Sequence, residues 1–233
     1  MNLLTIDKIH HSFKDKIIFQ DVNLSVSKGD IIGILGPNGS GKTTLFDLIC
    51  NLRSPQRGSL TNLSLQQLYL SQTLSPPPSL RMGDVHTLIT NLNSNCPPSQ
   101  RHTLDQLETW SPALKKRYAD IWKKKPSICS YGEIRSFFTL TLLTMGGDLL
   151  VLDEPTAGVD PEFRFYIWLG IKNASLQGAA VLVSSHHTDE VVANCHRFYM
   201  LAHRQLTRFD NGEQFLKFYQ ANTLDEAFIK ASI

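Results

Sequence analysis

The sequence predicts an α/β fold: a mostly parallel sheet with helices, preceded by an antiparallel β region and interrupted by a helical insert. Three observations predict it. Short apolar runs alternate with helical patterns over much of the chain. A glycine-rich turn, Gly36-Pro37-Asn38-Gly39-Ser40-Gly41-Lys42-Thr43, stands between a buried-strand pattern and a helix pattern. A second apolar run, Leu149-Leu150-Val151-Leu152, ends on two carboxylates, Asp153 and Glu154.

Taken in order, Leu3 to Ile9 alternates apolar and polar residues, as a half-buried strand does. Lys14-Asp15-Lys16 reads as a polar turn, with strands at Ile17–Phe19 and Val22–Val26 after it. Asp30–Leu35 reads as a buried strand and Thr44–Cys50 as a helix. Ser54-Pro55-Gln56-Arg57-Gly58 breaks the pattern. Two short strands follow, near Gly58–Thr61 and Gln67–Ser71, and Gln72 ends the second. Composition shifts at Ser75-Pro76-Pro77-Pro78, and a helical pattern runs to about Met145, with breaks at Asn93–Pro98 and Pro126. Then come a strand at Leu149–Leu152, a helix at Pro161–Leu176, a strand at Ala179–Val183 and a helix at Thr188–Cys195. A hairpin, Arg197–Leu201 with Gln205–Phe209, and two short helices complete the chain. The expected division is one domain over 1–233, with a core of 1–72 and 146–233 and a helical subdomain at 73–145.

The chain has 233 residues, 42% of them hydrophobic and 19% charged, which suffices for a sizeable core. A net charge of +2 is too near neutral to argue for nucleic acid as a partner. Cys50, Cys96, Cys129 and Cys195 are scattered, which fits reduced cytoplasmic thiols rather than a disulfide frame or a zinc site. The N-terminus has no basic-then-apolar signal pattern, and no apolar run is long enough to span a bilayer. Any membrane role is therefore expected through partner subunits.

The turn at 36–43 fits G-x-x-x-x-G-K-[ST], the phosphate loop of nucleoside-triphosphate hydrolases. Phosphate oxygens must sit against backbone N–H groups, so side chains there must be small or absent. Gly36, Gly39 and Gly41 meet that need. The following helix begins with its N–H groups and partial positive charge toward the anion. Lys42 has the reach for the β- and γ-phosphates, and Thr43 offers a hydroxyl to Mg²⁺. Two acids ending a strand fit a solvated surface when they stand alone. Downstream of a phosphate loop they read as a metal-holding Asp153 and a water-polarising Glu154.

In these motifs and their order, the chain resembles the nucleotide-binding subunits of ABC transporters, over nearly its whole length. Phe13 stands where that family carries an aromatic that stacks on adenine, beside the loop residues up to Thr44. Gln72 stands where the family links the γ-phosphate site and metal to a helical subdomain. Cys129-Ser130-Tyr131-Gly132-Glu133 matches the Leu-Ser-Gly-Gly-Gln signature, with Tyr131 for a glycine, Cys129 for leucine and Glu133 for glutamine. Ala157-Gly158-Val159-Asp160 resembles the loop that touches a second subunit, and His186 the switch histidine. Thr223–Phe228 resembles the C-terminal helix of single-domain exporter subunits. The spacing agrees: 23 residues from Ser130 to Asp153 hold a helix over Gly132–Met145, a turn and a strand.

The resemblance implies a P-loop ATPase fold, with ATP and Mg²⁺ as cofactors. Ser130, Gly132, Glu133 and Asp160 would address nucleotide bound to an opposing subunit. It implies two ATP-binding subunits, alike or identical, with separate transmembrane subunits on the cytoplasmic face of the inner membrane, working in export. A reading of another class is an ABC-type ATPase acting on RNA, ribosomes or protein assembly without a membrane partner. Lys115-Lys116-Arg117 and Lys123-Lys124-Lys125 around Tyr118, Ile121 and Trp122 raise an RNA or anionic-lipid patch. A solvated helix with a packed apolar stripe accounts for the same residues more simply.

Overall fold

The computed structural model of the protein describes residues 2–14, 16–93 and 98–233. Part of the polar turn at Lys14-Asp15-Lys16, and most of the break at Asn93–Pro98, fall outside those residues. Two sheets form the frame. A three-stranded antiparallel sheet has the order β2-β1-β4, from Asn2–Phe13 (β1), Lys16–Ser27 (β2) and Arg57–Asn62 (β4). A six-stranded sheet runs β5-β6-β7-β3-β8-β9, from Gln67–Leu70 (β5), Leu149–Asp153 (β6), Ala180–Ser185 (β7), Ile31–Leu35 (β3), Arg197–Ala202 (β8) and Gln205–Phe209 (β9). Its pairings are parallel except the last, β8 with β9.

The burial of the strands follows from these positions. Every residue of β3, β6 and β7 is buried, because helices or the second sheet cover both faces. Alternate residues divide between the two sides, since side chains of a strand point up and down in turn. Leu150, Leu152, Val181 and Val183 join the core under the helices. Leu149, Val151, Ala180 and Leu182 join the core under the antiparallel sheet. The strands expected separately at Ile17–Phe19 and Val22–Val26 are one continuous β2, which meets β1 through register shifts rather than a break. Bulges of this kind let a strand continue past an irregular pair.

Helix α1 (Lys42–Ile49) follows β3. Between β5 and β6 lie α2 (Met82–Asn93), α3 (Gln100–Trp110), α4 (Pro112–Trp122), a 3₁₀ turn at Pro126–Ile128 and α5 (Tyr131–Met145). Then come α6 (Pro161–Leu176), α7 (Thr188–Asn194), α8 (Gly212–Phe218) and α9 (Leu224–Ser232). Leu114, Tyr118 and Ile121 of α4 are buried on one helical stripe. Tyr118 stacks on Phe137 of α5 at 4.5 Å, a pairing worth about 0.5–1.5 kcal/mol beyond its burial.

Three of the six basic residues around that stripe, Lys115, Arg117 and Lys124, have acidic partners. Lys115 Nζ donates to Glu108 at 2.6 Å, and Arg117 pairs with Glu162 and Asp160 while its guanidinium lies 4.1 Å above the Phe163 ring. Lys123–Lys125 lie beyond the end of α4, and Lys124 Nζ donates to Glu133 at 2.7 Å. Part of the basic run is thus a turn rather than a helix face. No described helix is long and apolar enough to cross a membrane.

Candidate functional site

The strand order places the ends of β3, β7 and β6 side by side at the carboxyl edge of the sheet. In open α/β sheets, ligands bind at that edge. The chain leaves β3 at Leu35, turns through residues 36–41 and enters α1 at Lys42. Gly41 holds φ at 109°, in the left-handed half of the map. A Cβ there would stand 2.7 Å from Ile18 Cγ2 and 3.0 Å from Phe19 Cε1, so β2 also leaves no room for a side chain. No side chain caps α1, so its first N–H groups stay directed into the turn.

Lys42 is buried, and Nζ donates to Gly36 O at 2.7 Å and Pro37 O at 3.3 Å. It also lies 3.8 Å from Glu154 Oε1. Burial pulls the Lys42 ammonium below its ordinary pKa, while Glu154 and Asp153 oppose that pull.

Across the turn, Asp153 Oδ2 accepts from Thr43 Oγ1 at 2.6 Å, and Asp153 Oδ1 accepts from Ser184 Oγ. Asp153 is 1% exposed. One hydroxyl and one carboxylate converging on a buried point are the hard oxygen donors that Mg²⁺ takes alongside substrate phosphates. Glu154 sits at φ +53°, an unusual conformation for a residue with a side chain. Its N–H is held by Ser184, at 2.9 Å to Oγ and 3.2 Å to O. Its Oε2 lies 2.8 Å from His186 Nδ1. An ionised carboxylate only accepts, so Nδ1 carries the proton of that bond and Nε2 of a neutral ring remains an acceptor.

These groups open on one cavity of about 550 Å³, lined by Asn38, Gly39, Gly41, Lys42, Thr43, Thr44, Gln72, Asp153 and Glu154. That volume suits a nucleotide-sized ligand. Phe13 also lines it and is 39% exposed. The Arg53 guanidinium lies over the Phe13 ring at 4.8 Å, and the His11 ring meets it edge-on at 5.1 Å. Pro37 and Ser40 line an adjoining hollow with Asn38 and Gly39.

Ser130, Gly132, Glu133 and Asp160 do not line that cavity. Ser130 caps α5: its Oγ accepts from Glu133 N at 3.1 Å, and Glu133 Oε2 accepts from Ser130 N at 2.9 Å. The Ser130 hydroxyl keeps its own proton to donate. A Cβ on Gly132 would stand 2.6 Å from Gly158 O, so the signature and the 157–160 loop touch backbone to backbone. The Tyr131 ring lies against Gly158, with 2.9 Å from Cδ1 to where a Gly158 Cβ would be, and is 53% exposed. Asp160 Oδ1 caps α6 by accepting from Phe163 N at 3.0 Å. These residues occupy a second face, at two helix N-termini.

Four residues at the site had no functional reading from the sequence. Lys16 and Ile18 line the cavity from β2. Ser184 ties Asp153 to Glu154. Arg135 of α5 is 0% exposed and donates to the carbonyls of Ser71, Gln72, Asp153 and Glu154.

A family model described as ABC transporter matches residues 19–157. The chain belongs to the ABC transporter family. Protein McbF of Escherichia coli is 32% identical, over 98% of this chain and 94% of that one. The lipopolysaccharide export system ATP-binding protein LptB of Acidithiobacillus ferridurans is 28% identical, over 85% of this chain and 86% of that one. The Nod factor export ATP-binding protein I of Cupriavidus pinatubonensis is 26% identical over 83% of this chain, which spans 61% of that relative's length. A solved ATP-binding subunit of an ABC transporter superposes with a TM-score of 0.81 at 19% identity, covering 98% of this chain and 99% of that one; this likeness is one of fold. The protein is an ATP-binding and ATP-hydrolysing subunit of the ABC transporter type, on the P-loop fold expected from the sequence.

Proposed function

We propose that the chain powers export through separate transmembrane subunits by hydrolysing MgATP in the cavity around Lys42, Asp153 and Glu154. The single observation that carries this reading is the convergence of Lys42 Nζ, 3.8 Å from Glu154, and Thr43 Oγ1, 2.6 Å from Asp153, at one mouth of the sheet. Phosphate oxygens would meet the N–H groups of residues 36–44 and the Lys42 ammonium. Thr43, Asp153 and Gln72 would hold Mg²⁺, which neutralises phosphate charge when bound. Phe13 would stack on adenine, a contact worth roughly 1–3 kcal/mol.

Glu154 orients the attacking water and takes its proton. The water oxygen bonds to the γ-phosphorus, the bond to the bridging oxygen breaks, and that oxygen leaves on ADP. His186, bonded to Glu154 through Nδ1, sets the direction of that carboxylate. Lys42 steadies the charge that gathers on the phosphoryl oxygens.

Two such chains, or this one and a similar one, would enclose two nucleotides. Each nucleotide would rest on the loop of one copy and on Ser130, Gly132 and Glu133 of the other, with Asp160 in the loop between them. The free proton of the Ser130 hydroxyl and its place at the α5 N-terminus support that role. The working division is a core of 1–72 and 146–233 with a helical subdomain at 73–145. Export is supported by the names of the Nod factor and lipopolysaccharide relatives. Through its membrane partners the subunit would sit on the cytoplasmic face of the inner membrane.

Glu154→Gln tests the reading. Loss of a general base costs ~10²–10⁴-fold, or roughly 3–5 kcal/mol of barrier. The variant should bind MgATP as the wild type does, turn over in that range more slowly, and collect as an ATP-bound dimer. Wild-type turnover would remove Glu154 from the reaction.

A further inference from the structure

Arg135 is the largest fully buried side chain among the described residues, and it lies on the helix that Ser130 caps. All its recorded acceptors are main-chain carbonyls. Nε donates to Glu154 O at 3.0 Å and Nη2 to Asp153 O, while Nη1 donates to Ser71 O at 2.8 Å and Gln72 O at 3.0 Å. A guanidinium out of water is costly unless its N–H groups are satisfied. Here four of the five N–H groups find acceptors on two chain segments, which carry the reacting carboxylates and Gln72. The planar fork of arginine can grip both at once; a lysine ammonium cannot match that geometry.

The consequence falls on Glu154. Its backbone is held at φ +53°, so the direction of its side chain depends on both flanking peptides. Ser184 pins the N–H side at 2.9 Å, and Arg135 pins the carbonyl side at 3.0 Å. Moving α5 therefore pulls on the Glu154 carbonyl and the Gln72 carbonyl together. We propose that Arg135 is a positioning residue that couples the setting of the signature helix and the Gln72 segment to the aim of the Glu154 carboxylate. It touches no substrate. The proposal rests on the reading of Glu154 and Asp153 as the hydrolytic carboxylates.

The test uses the full chain with Arg135→Lys and Arg135→Met, so that one poorly folding variant leaves the other. MgATP hydrolysis, binding of a fluorescent ATP analogue and thermal melting are measured below both melting temperatures. The expected result is a kcat loss of roughly 10- to 100-fold, as for a misplacement near 1 Å. Nucleotide Kd should stay within twofold, because Lys42 and its loop lie on other elements. Two results would overturn the proposal: kcat within twofold of wild type, or a kcat loss matched by lost nucleotide binding. Glu154→Gln is run beside them. If it turns over normally, the reading of the site has failed; if it is inactive while both Arg135 variants are fully active, only the coupling has failed.

Discussion

Gly132→Ala probes the contact on which the second face depends. The added Cβ would lie 2.6 Å from Gly158 O and 3.3 Å from Val159 Cα, both main-chain atoms that cannot swing aside. An ordinary carbon–oxygen contact is nearer 3.4 Å, so α5 and the 157–160 loop must part by about 0.8 Å. Overpacking of this kind costs about 1–3 kcal/mol, which in a chain of this size is about 2–12 °C in Tm. Ser130 moves with the helix, and a shift of that size where a phosphate is to be gripped costs up to ~10²-fold in rate. ATP binding to one chain should be unchanged, since Lys42 and Gly41 lie elsewhere. The assays are calorimetry, nucleotide titration and steady-state ATPase. Wild-type Tm and turnover together would refute the close approach, and loss of ATP binding would refute the separation of the two faces.

Two further outcomes follow from local geometry. Tyr131→Gly should leave turnover within twofold, because the ring lies against Gly158 and is 53% exposed; a severalfold gain would show the ring obstructing the signature. His86 is 1% exposed, its Nε2 lies 3.0 Å from Thr103 Oγ1, and burial pushes its pKa down from 6.5 to about 4. Between those values the unfolded chain binds the proton and the folded chain does not, so stability falls as pH falls. Urea unfolding at pH 7 and 4.5 should show about 2–3 kcal/mol more loss in the wild type than in His86→Gln, and equal losses would refute it.

The phosphate loop and the acid pair were readable because each is a local pattern whose chemistry restricts residue type. Pro161–Leu176 was readable to the residue, since Asp160 caps it and Pro161 occupies the first turn. The interior strands were readable as unbroken apolar runs. β2 was divided because Gln20 and Asp21 look like a turn, while β1 pairing carries the strand through them with Asp21 at φ +54°. Arg135 left a signal that went unused: it is the one charge between Ile134 and Met145, in a helix of apolar and small residues. A lone arginine on a buried stripe must find acceptors, but which carbonyls it finds depends on contacts across 63 residues of chain, to Gln72. Ser184 was hidden the same way, as an ordinary hydroxyl ending a strand until parallel pairing sets it beside Asp153.

The central claim is that Lys42 acts on ATP in its own subunit and Ser130 on ATP in the opposite one. Lys42→Ala removes the buried cation of the loop and should abolish nucleotide binding. Ser130→Arg should keep ATP binding in one chain and block closure of two. The decisive measurement is steady-state ATPase of each purified variant alone and of an equal mixture. In a homodimer each variant alone should be nearly inactive. Half of the randomly mixed dimers then carry one intact site of two, giving about one quarter of wild-type activity if the sites are independent and less if they are coupled. Full activity of Ser130→Arg alone would contradict the account, because the site would then be complete within a single chain.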